Sequence, residues 1–151
     1  MHRILFVCLG NICRSPLAEG ILRRQAKEAG IALVVDSAGT GDWHIGQLPD
    51  RRAVRVGIAH GCQMSMTARQ VGSRDFEEFD LILGMDLRNV QDLCAWPGAK
   101  PEKVRLTRSF DADATTQEVP DPYYGDTRDF EAVADMLETA CRGVLASLSH
   151  P

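Results

Sequence analysis

The chain has 151 residues, 44% hydrophobic and 25% charged, the make-up of a single folded domain and not of a globally disordered chain. A formal charge of −4 argues against a nucleic-acid binder, and no apolar run approaches the roughly 20 residues of a membrane span. The five cysteines (8, 13, 62, 94 and 141) include no Cys-x-x-Cys pair, and the histidines at 2, 44, 60 and 150 are scattered, which argues against a disulfide framework and a zinc site and suits thiols kept reduced in a cytoplasm.

Ile4-Leu5-Phe6-Val7 is a continuous apolar run that stops at Cys8-Leu9-Gly10-Asn11, as a buried parallel strand does where it feeds a loop. The run is too short for a signal-peptide core. Ser15-Pro16 reads as a helix start, with serine as the cap, and Leu17, Ala18, Ile21, Leu22 and Ala26 continue at helical spacing until Gly30 ends the helix. Residues 31–35 predict a second strand, stopped by Asp36-Ser37-Ala38-Gly39. A loop with Trp43 and Pro49 leads to a short helix over 50–60. Residues 79–85 predict a third strand, after which Asp86 caps a helix that ends before Pro97. A short fourth strand is expected over 104–106. A long loop over 111–127, rich in Asp, Thr, Pro and Gly, precedes a last helix over 128–148 with an apolar stripe from Phe130 through Leu137 and Val144 to Leu148. Strands alternating with helices predict an α/β fold: one domain over 1–151, with a four-stranded parallel sheet covered by helices on both faces. In such folds ligands sit beyond the carboxyl ends of the strands, where the loop from Cys8 to Ser15 lies.

That loop carries the most chemical information. A cysteine, five residues and an arginine between a strand and a helix form a phosphate-binding constellation with a nucleophile at its centre. Backbone N–H groups of a tight loop that opens a helix converge on one spot, the helix N-terminus adds partial positive charge, and this field favours Cys8 as the thiolate. Gly10 and Asn11 are residue types that tolerate left-handed backbone. Arg14 grips two phosphoryl oxygens at once, which a lysine cannot do. No Gly-Lys-Ser/Thr follows, so this is not a nucleotide loop. Asp121, between Pro120 and Pro122, is by itself either a turn aspartate or an acid aimed by a stiffened loop. Tyr123 and Tyr124 (the only tyrosines) and Trp43 are either ordinary loop aromatics or walls for a flat ring, with Leu9 and Ile12 lining the slot below them. His44 reads first as a solvated loop histidine, with a part in specificity as the alternative.

Cys8, Gly10, Asn11, Cys13, Arg14, Ser15 and Pro16 match every fixed position of the pattern Cys-x-Gly-Asn-x-Cys-Arg-Ser-Pro, and the segment resembles the signature of the low-molecular-weight protein tyrosine phosphatases. The similarity continues through Asp36-Ser37-Ala38-Gly39-Thr40, Asp42-Trp43, Pro49, Asp50 and Arg52, Ala68-Arg69-Gln70, Phe79-Asp80, Met85-Asp86 and Asp121-Pro122-Tyr123-Tyr124. The resemblance implies hydrolysis of phosphotyrosine and small aryl phosphates through a cysteinyl-phosphate, with no metal or other cofactor. Cys8 is then the nucleophile, Arg14 the phosphoryl clamp and Asp121 the acid and later the base. The resemblance further implies that Ser15 hydrogen-bonds the Cys8 sulfur, that Asn11 and Ser37 hold the loop, and that Cys13 forms a reversible disulfide with Cys8 under oxidation. Phosphotyrosine proteins are the implied partners, and by the same analogy a tyrosine kinase that would modify Tyr123 or Tyr124. The chain departs from the family at Met66, where many members carry a histidine, so the network behind Asn11 is expected to be rearranged.

Two neighbouring chemistries remain alternatives. A thiol-dependent arsenate reductase needs resolving cysteines to relay a disulfide. Cys62 and Cys94, the spare thiols in mid-chain, are far apart in sequence, and the Asp-Pro-Tyr-Tyr segment has no task in that reaction. Protein arginine phosphatases resemble this family but carry threonine where this loop has Ile12, and a branched apolar side chain suits a phenyl ring better than a guanidinium. A non-catalytic phosphate-binding module would have lost Cys8, Arg14 or Asp121, and all three are present.

Overall fold

The seven residues His2–Cys8 form the first strand, β1, whose side chains alternate between two hydrophobic cores. Ile4, Phe6 and Cys8 enter one core, and Leu5 and Val7 enter the other. Both faces of the strand are covered, which is why residues 4–7 read as an unbroken apolar run. The computed structural model describes residues 1–149, so His150 and the end of the domain expected over 1–151 lie outside the described residues.

The remaining elements are α1 (Arg14–Glu28), β2 (Leu33–Gly39), α2 (Arg51–Ala59), α3 (Ser73–Glu78), β3 (Leu81–Gly84), α4 (Leu87–Cys94), β4 (Val104–Leu106) and α5 (Thr127–Ser149), with 3-10 turns at Pro101–Lys103 and Thr107–Phe110. The sheet is parallel throughout, in the order β2-β1-β3-β4. Helices α1, α2 and α5 cover the face that holds Phe6, and α3 and α4 cover the other. The chain leaves β1 toward one side to make β2 and crosses to the other side to make β3. The carboxyl ends of β1 and β3 therefore flank a point where the connections diverge, and such a point opens a crevice. The loop that follows β1 occupies it. No helix among the described residues is long and apolar enough to cross a membrane.

The predicted four-stranded parallel sheet is present, but several boundaries move. β2 runs to Gly39 because β1 offers a partner at every step from His2↔Leu33 to Cys8↔Gly39. Pairing overrides the turn preference of Asp36 and Ser37, whose side chains find partners in Arg69 and Glu19. α1 opens at Arg14, one residue before the expected cap, and Cys13 at its N-cap makes no side-chain cap bond. Pro16 falls in the first turn, where its missing N–H costs nothing. At the other end Gly30 takes φ +69 just past the last turn, as a helix-ending glycine does. Asp86 caps α4 as expected, accepting from the Asn89 N–H at 2.8 Å. The six-residue α3 lies where the sequence carries no helix signal. It is too short to show a helical period, and it is held by the Asp75 carboxylate on the Gly72 N–H. Its end at Phe79 shortens the predicted 79–85 strand to Leu81–Gly84.

A polar knot ties α1 to α5. The Glu138 carboxylate accepts from Arg24 at 2.6 Å, from Gln25 at 3.0 Å and from His60 at 2.9 Å. Burial pushes its pKa up, but the hydrogen bonds from Arg24, His60 and Gln25 outweigh burial and hold it at about 2 against an ordinary 4.5. A lowered carboxylate pKa stabilises the fold above the unfolded value, here by up to about 3 kcal/mol, and the contribution fades as pH falls from roughly 4.5 toward 2. Glu138→Gln is expected to lower the unfolding free energy by about 2 kcal/mol at neutral pH, read from urea midpoints. The gap to wild type should narrow as pH drops below 4.5; a gap constant between pH 7 and 3 would assign the loss to shape and not to charge.

Candidate active site

The loop from Cys8 to Ser15 is held from behind by its own asparagine. Asn11 is the only non-glycine among the described residues with positive φ, at 57°, a conformation its short polar side chain tolerates. That turn sends the side chain inward, where Nδ2 donates to Ser15 Oγ at 2.8 Å and to Ser37 Oγ at 3.0 Å, while Oδ1 accepts from the Arg69 N–H at 3.0 Å. The Ser37 hydroxyl donates in turn to Glu19 Oε1 at 2.6 Å. Glu19 is buried and paired with Arg23 at 2.8 Å; burial raises its pKa, against the pull of Ser37 and Arg23. Met66 packs against the core, and the network behind Asn11 ends at Glu19. Gly39 must lack a side chain, since a Cβ there would lie 2.8 Å from the Leu9 carbonyl oxygen. Gly10, by contrast, keeps ordinary φ. Its missing side chain makes room for the His44 ring, whose Cδ2 would meet a Cβ at 3.1 Å.

Ser15 sits 3.0 Å from the sulfur of Cys8. Its oxygen already accepts from Asn11, so its one hydrogen is shared between two acceptors, the sulfur at 3.0 Å and the Ala38 carbonyl at the longer 3.5 Å. The N–H groups of Gly10 to Cys13 meet no oxygen acceptor among the described residues. They belong to the loop that opens the fifteen-residue α1, where an anion is favoured. Cys13 is buried under the loop, and burial first, then the neighbouring Cys8, Asp50 and Asp121, push its thiol up, so it stays protonated. The five cysteines of the chain are free thiols.

Arg14 is almost wholly buried beside Cys8. Its Nη1 donates to Asp86 Oδ2 at 2.8 Å and to the Val119 carbonyl at 2.9 Å, and its Nη2 lies 3.8 Å from Asp121 Oδ2. Burial opposes its charge, but Cys8, Asp86 and Asp121 around it prevail and raise its pKa. Asp121 stands on the segment after Val119, whose N–H is fixed to the Met85 carbonyl at the end of β3 at 2.8 Å. One carboxylate oxygen of Asp121 accepts from the Tyr123 N–H at 3.1 Å, and the other faces Arg14.

These groups open onto one cavity of about 240 Å³, lined by Cys8, Leu9, Gly10, Ile12, Cys13, Arg14, Trp43, His44, Asp121, Tyr123 and Tyr124. Of the sequence-predicted site residues, only Asn11 and Ser15 stand behind the lining, both buried. Tyr123 and Tyr124 meet edge to face with centroids 5.0 Å apart, and Tyr124 (94% exposed) and Trp43 (64%) project at the mouth. The cavity holds a sulfur nucleophile, a guanidinium, a carboxyl group and aromatic walls within one small volume. That set can grip an anionic group at the loop, seat a flat ring above it and transfer the anion to sulfur.

Three further residues reach the candidate site, and the sequence weighs only His44 among them for a part in it. The sequence marks Asp86 as a helix cap and as part of the family resemblance, and its second oxygen orients Arg14. Its place at the carboxyl end of a strand was an available signal. Glu19 looks like an ordinary helix charge in sequence, and nothing local marks it as the end of the Asn11 network. His44, read first as solvated, lines the cavity with Nδ1 2.9 Å from Gln47 Oε1.

The model of the family described as low molecular weight phosphotyrosine protein phosphatase matches residues 3–151. The low molecular weight protein-tyrosine-phosphatase YfkJ of Bacillus subtilis is 40% identical over 152 residues, which span 98% of this chain and 96% of that one. The crystal structure of a protein tyrosine phosphatase from Entamoeba histolytica superposes with a TM-score of 0.94 at 39% identity, covering 99% of this chain and 97% of that one. A YwlE arginine phosphatase superposes with a TM-score of 0.90 at 26% identity, covering 98% and 96% of the two chains.

Proposed function

Since the chain belongs to the low molecular weight phosphotyrosine protein phosphatase family, and is thus a hydrolase of phosphotyrosine, we propose that Cys8, Arg14 and Asp121 carry the reaction and that the aromatic rim selects the substrate. The observation that supports this assignment is the convergence of the three side chains on one cavity walled by Tyr123, Tyr124 and Trp43. The thiolate of Cys8 attacks phosphorus in line with the bond to the tyrosine oxygen. A P–S bond forms as the P–O bond breaks, and Asp121 gives its proton to the departing phenolic oxygen. Its Oδ1 is engaged by the Tyr123 N–H, which leaves Oδ2 to carry that proton. The cysteinyl-phosphate is then opened by water. Asp121, now a carboxylate, takes a proton from the water as its oxygen bonds to phosphorus, and the P–S bond breaks to leave a thiolate that accepts a hydrogen bond from the Ser15 hydroxyl. In both steps Arg14 and the loop N–H groups hold the equatorial oxygens. They supply the positive charge that the transition state needs, so the scheme calls for no metal.

The substrate in this reading is a phosphotyrosine-bearing protein, and a tyrosine kinase is the partner whose product it consumes. A nucleophilic thiol that must stay reduced suits the cytoplasm. The apolar Ile12 in the cavity wall favours a phenyl ring over a guanidinium. An arsenate-reducing relay finds little support, since neither Cys62, buried in the core, nor Cys94, at the end of α4 on the other face of the sheet, lines the cavity. The test is phosphate release in EDTA and a reductant at about pH 6 from three substrates: an aryl phosphate, a phosphotyrosine peptide and a phosphoarginine peptide. Release from the first two and little from the third is the expected result. Release from phosphoarginine alone, or from none, would sink the reading.

A further inference from the structure

We infer that Arg52, on α2 and outside the cavity lining, is a positioning residue that aims the Asp121 carboxyl by pinning the loop that carries it. The inference rests on the proposed role of Asp121 as the acid. Residues 120–126 form neither helix nor strand. Upstream of Asp121 the path is fixed through Val119. Downstream, among the described residues, the hydrogen bonds that reach residues 121–125 from outside this segment all come from one guanidinium: Arg52 Nη2 donates to the Tyr123 carbonyl at 2.9 Å and Nη1 to the Gly125 carbonyl at 2.9 Å. The Tyr123 residue links this grip to the acid, because its N–H holds Asp121 Oδ1 while its carbonyl is held by Arg52.

Arg52 is itself immobilised. Asp50 takes its Nε and Nη2, each at 3.0 Å, and the guanidinium lies 4.5 Å from the centroid of the Phe130 ring and 5.8 Å from that of Tyr123. Asp50 reaches the phosphate-binding loop in turn, its N–H donating to the Ile12 carbonyl at 2.8 Å. Asp50 and Arg52 therefore form a strut between the loop that holds the nucleophile and the loop that holds the acid, and this strut fixes the distance between the two groups. A planar fork of donors is needed to hold two carbonyls and a carboxylate together, which an ammonium cannot do.

A residue that acts through the acid should be felt where the acid matters. Single-turnover transfer to Cys8 would be measured with phenyl phosphate, a poor leaving group, and with para-nitrophenyl phosphate, a good one. Arg52→Ala is expected to slow the first about tenfold and the second by no more than about twofold, since a misplaced group costs rate only in the step it serves. Arg52→Lys should recover part of the loss. In an Asp121→Ala background the Arg52 substitution should add nothing. Equal loss on both esters, or the full loss repeated in the Asp121→Ala background, would overturn the inference and leave Arg52 a purely structural contact. If Arg52→Ala fails to fold, Arg52→Gln takes its place under the same criteria, since it keeps one donor and loses the fork. A wild type inactive on both esters overturns the phosphatase reading and this inference with it. A leaving-group effect in Asp121→Ala but none in the Arg52 variants overturns this inference alone.

Discussion

Replacing Cys8 with serine is expected to abolish turnover, a loss of at least about 10⁴-fold in kcat for aryl phosphates. The substitution removes one property and keeps the rest. A serine hydroxyl is nearly the same size and sits in the same buried position, but it does not ionise near neutrality and no base adjoins it. The side-chain hydrogen-bond partner of Cys8 is the hydroxyl of Ser15, 3.0 Å from the sulfur, which is placed to donate to an anion and not to take a proton. The clamp is untouched, so the variant should bind inorganic phosphate or a phosphotyrosine peptide about as tightly as wild type in calorimetry. Loss of catalysis with binding retained is the signature of a missing nucleophile. A variant that keeps more than about a hundredth of the activity would show that another group attacks phosphorus.

Arg14→Lys is expected to cost about 10³-fold in kcat/KM, with most of the loss in kcat. Nη1 of Arg14 is taken by Asp86 and by the Val119 carbonyl. The remaining edge, Nε and Nη2, is left for two phosphoryl oxygens. A lysine has a single ammonium, which the Asp86 carboxylate would hold, so the fold keeps its ion pair while the transition state loses both donors. The thermal midpoint should therefore move far less than the rate. A loss below about tenfold would remove the two-pronged grip from the mechanism. Asp86→Asn separates the contributions further, because it leaves the guanidinium in place and weakens only what orients it.

The parts of this protein that were legible in the sequence are those set by neighbours along the chain. The apolar run of β1, the helical spacing after it, the stripe of α5 and the cap at Asp86 all express local periodicity or local hydrogen bonding, and each is where it was expected. The loop was legible for the same reason. A nucleophile, a residue able to take φ 57° and an arginine lie within seven positions, so one short segment carries the geometry. The misread elements follow the same logic. Asp36 and Ser37 look like turn residues, and only the register with β1 draws them into a strand. Ser15 looks like a cap, but α1 opens a residue earlier, so only the hydroxyl's contact with Cys8, the one the family resemblance implies, is found, together with Asn11 and Ala38.

The sequence by itself determined the α/β class, the loop and the residues proposed to react, because these depend on spacing within a segment. The tertiary structure alone decided how those groups are held. Asp86 and the Val119 carbonyl reach Arg14 from 72 and 105 residues away, and Arg52 reaches the Tyr123 carbonyl across 71. Hydrogen bonds across such separations leave no period and no local motif. They arise when the strands pair and bring the carboxyl ends of β1 and β3 together, and only then do a cap aspartate and a helix arginine become parts of the site.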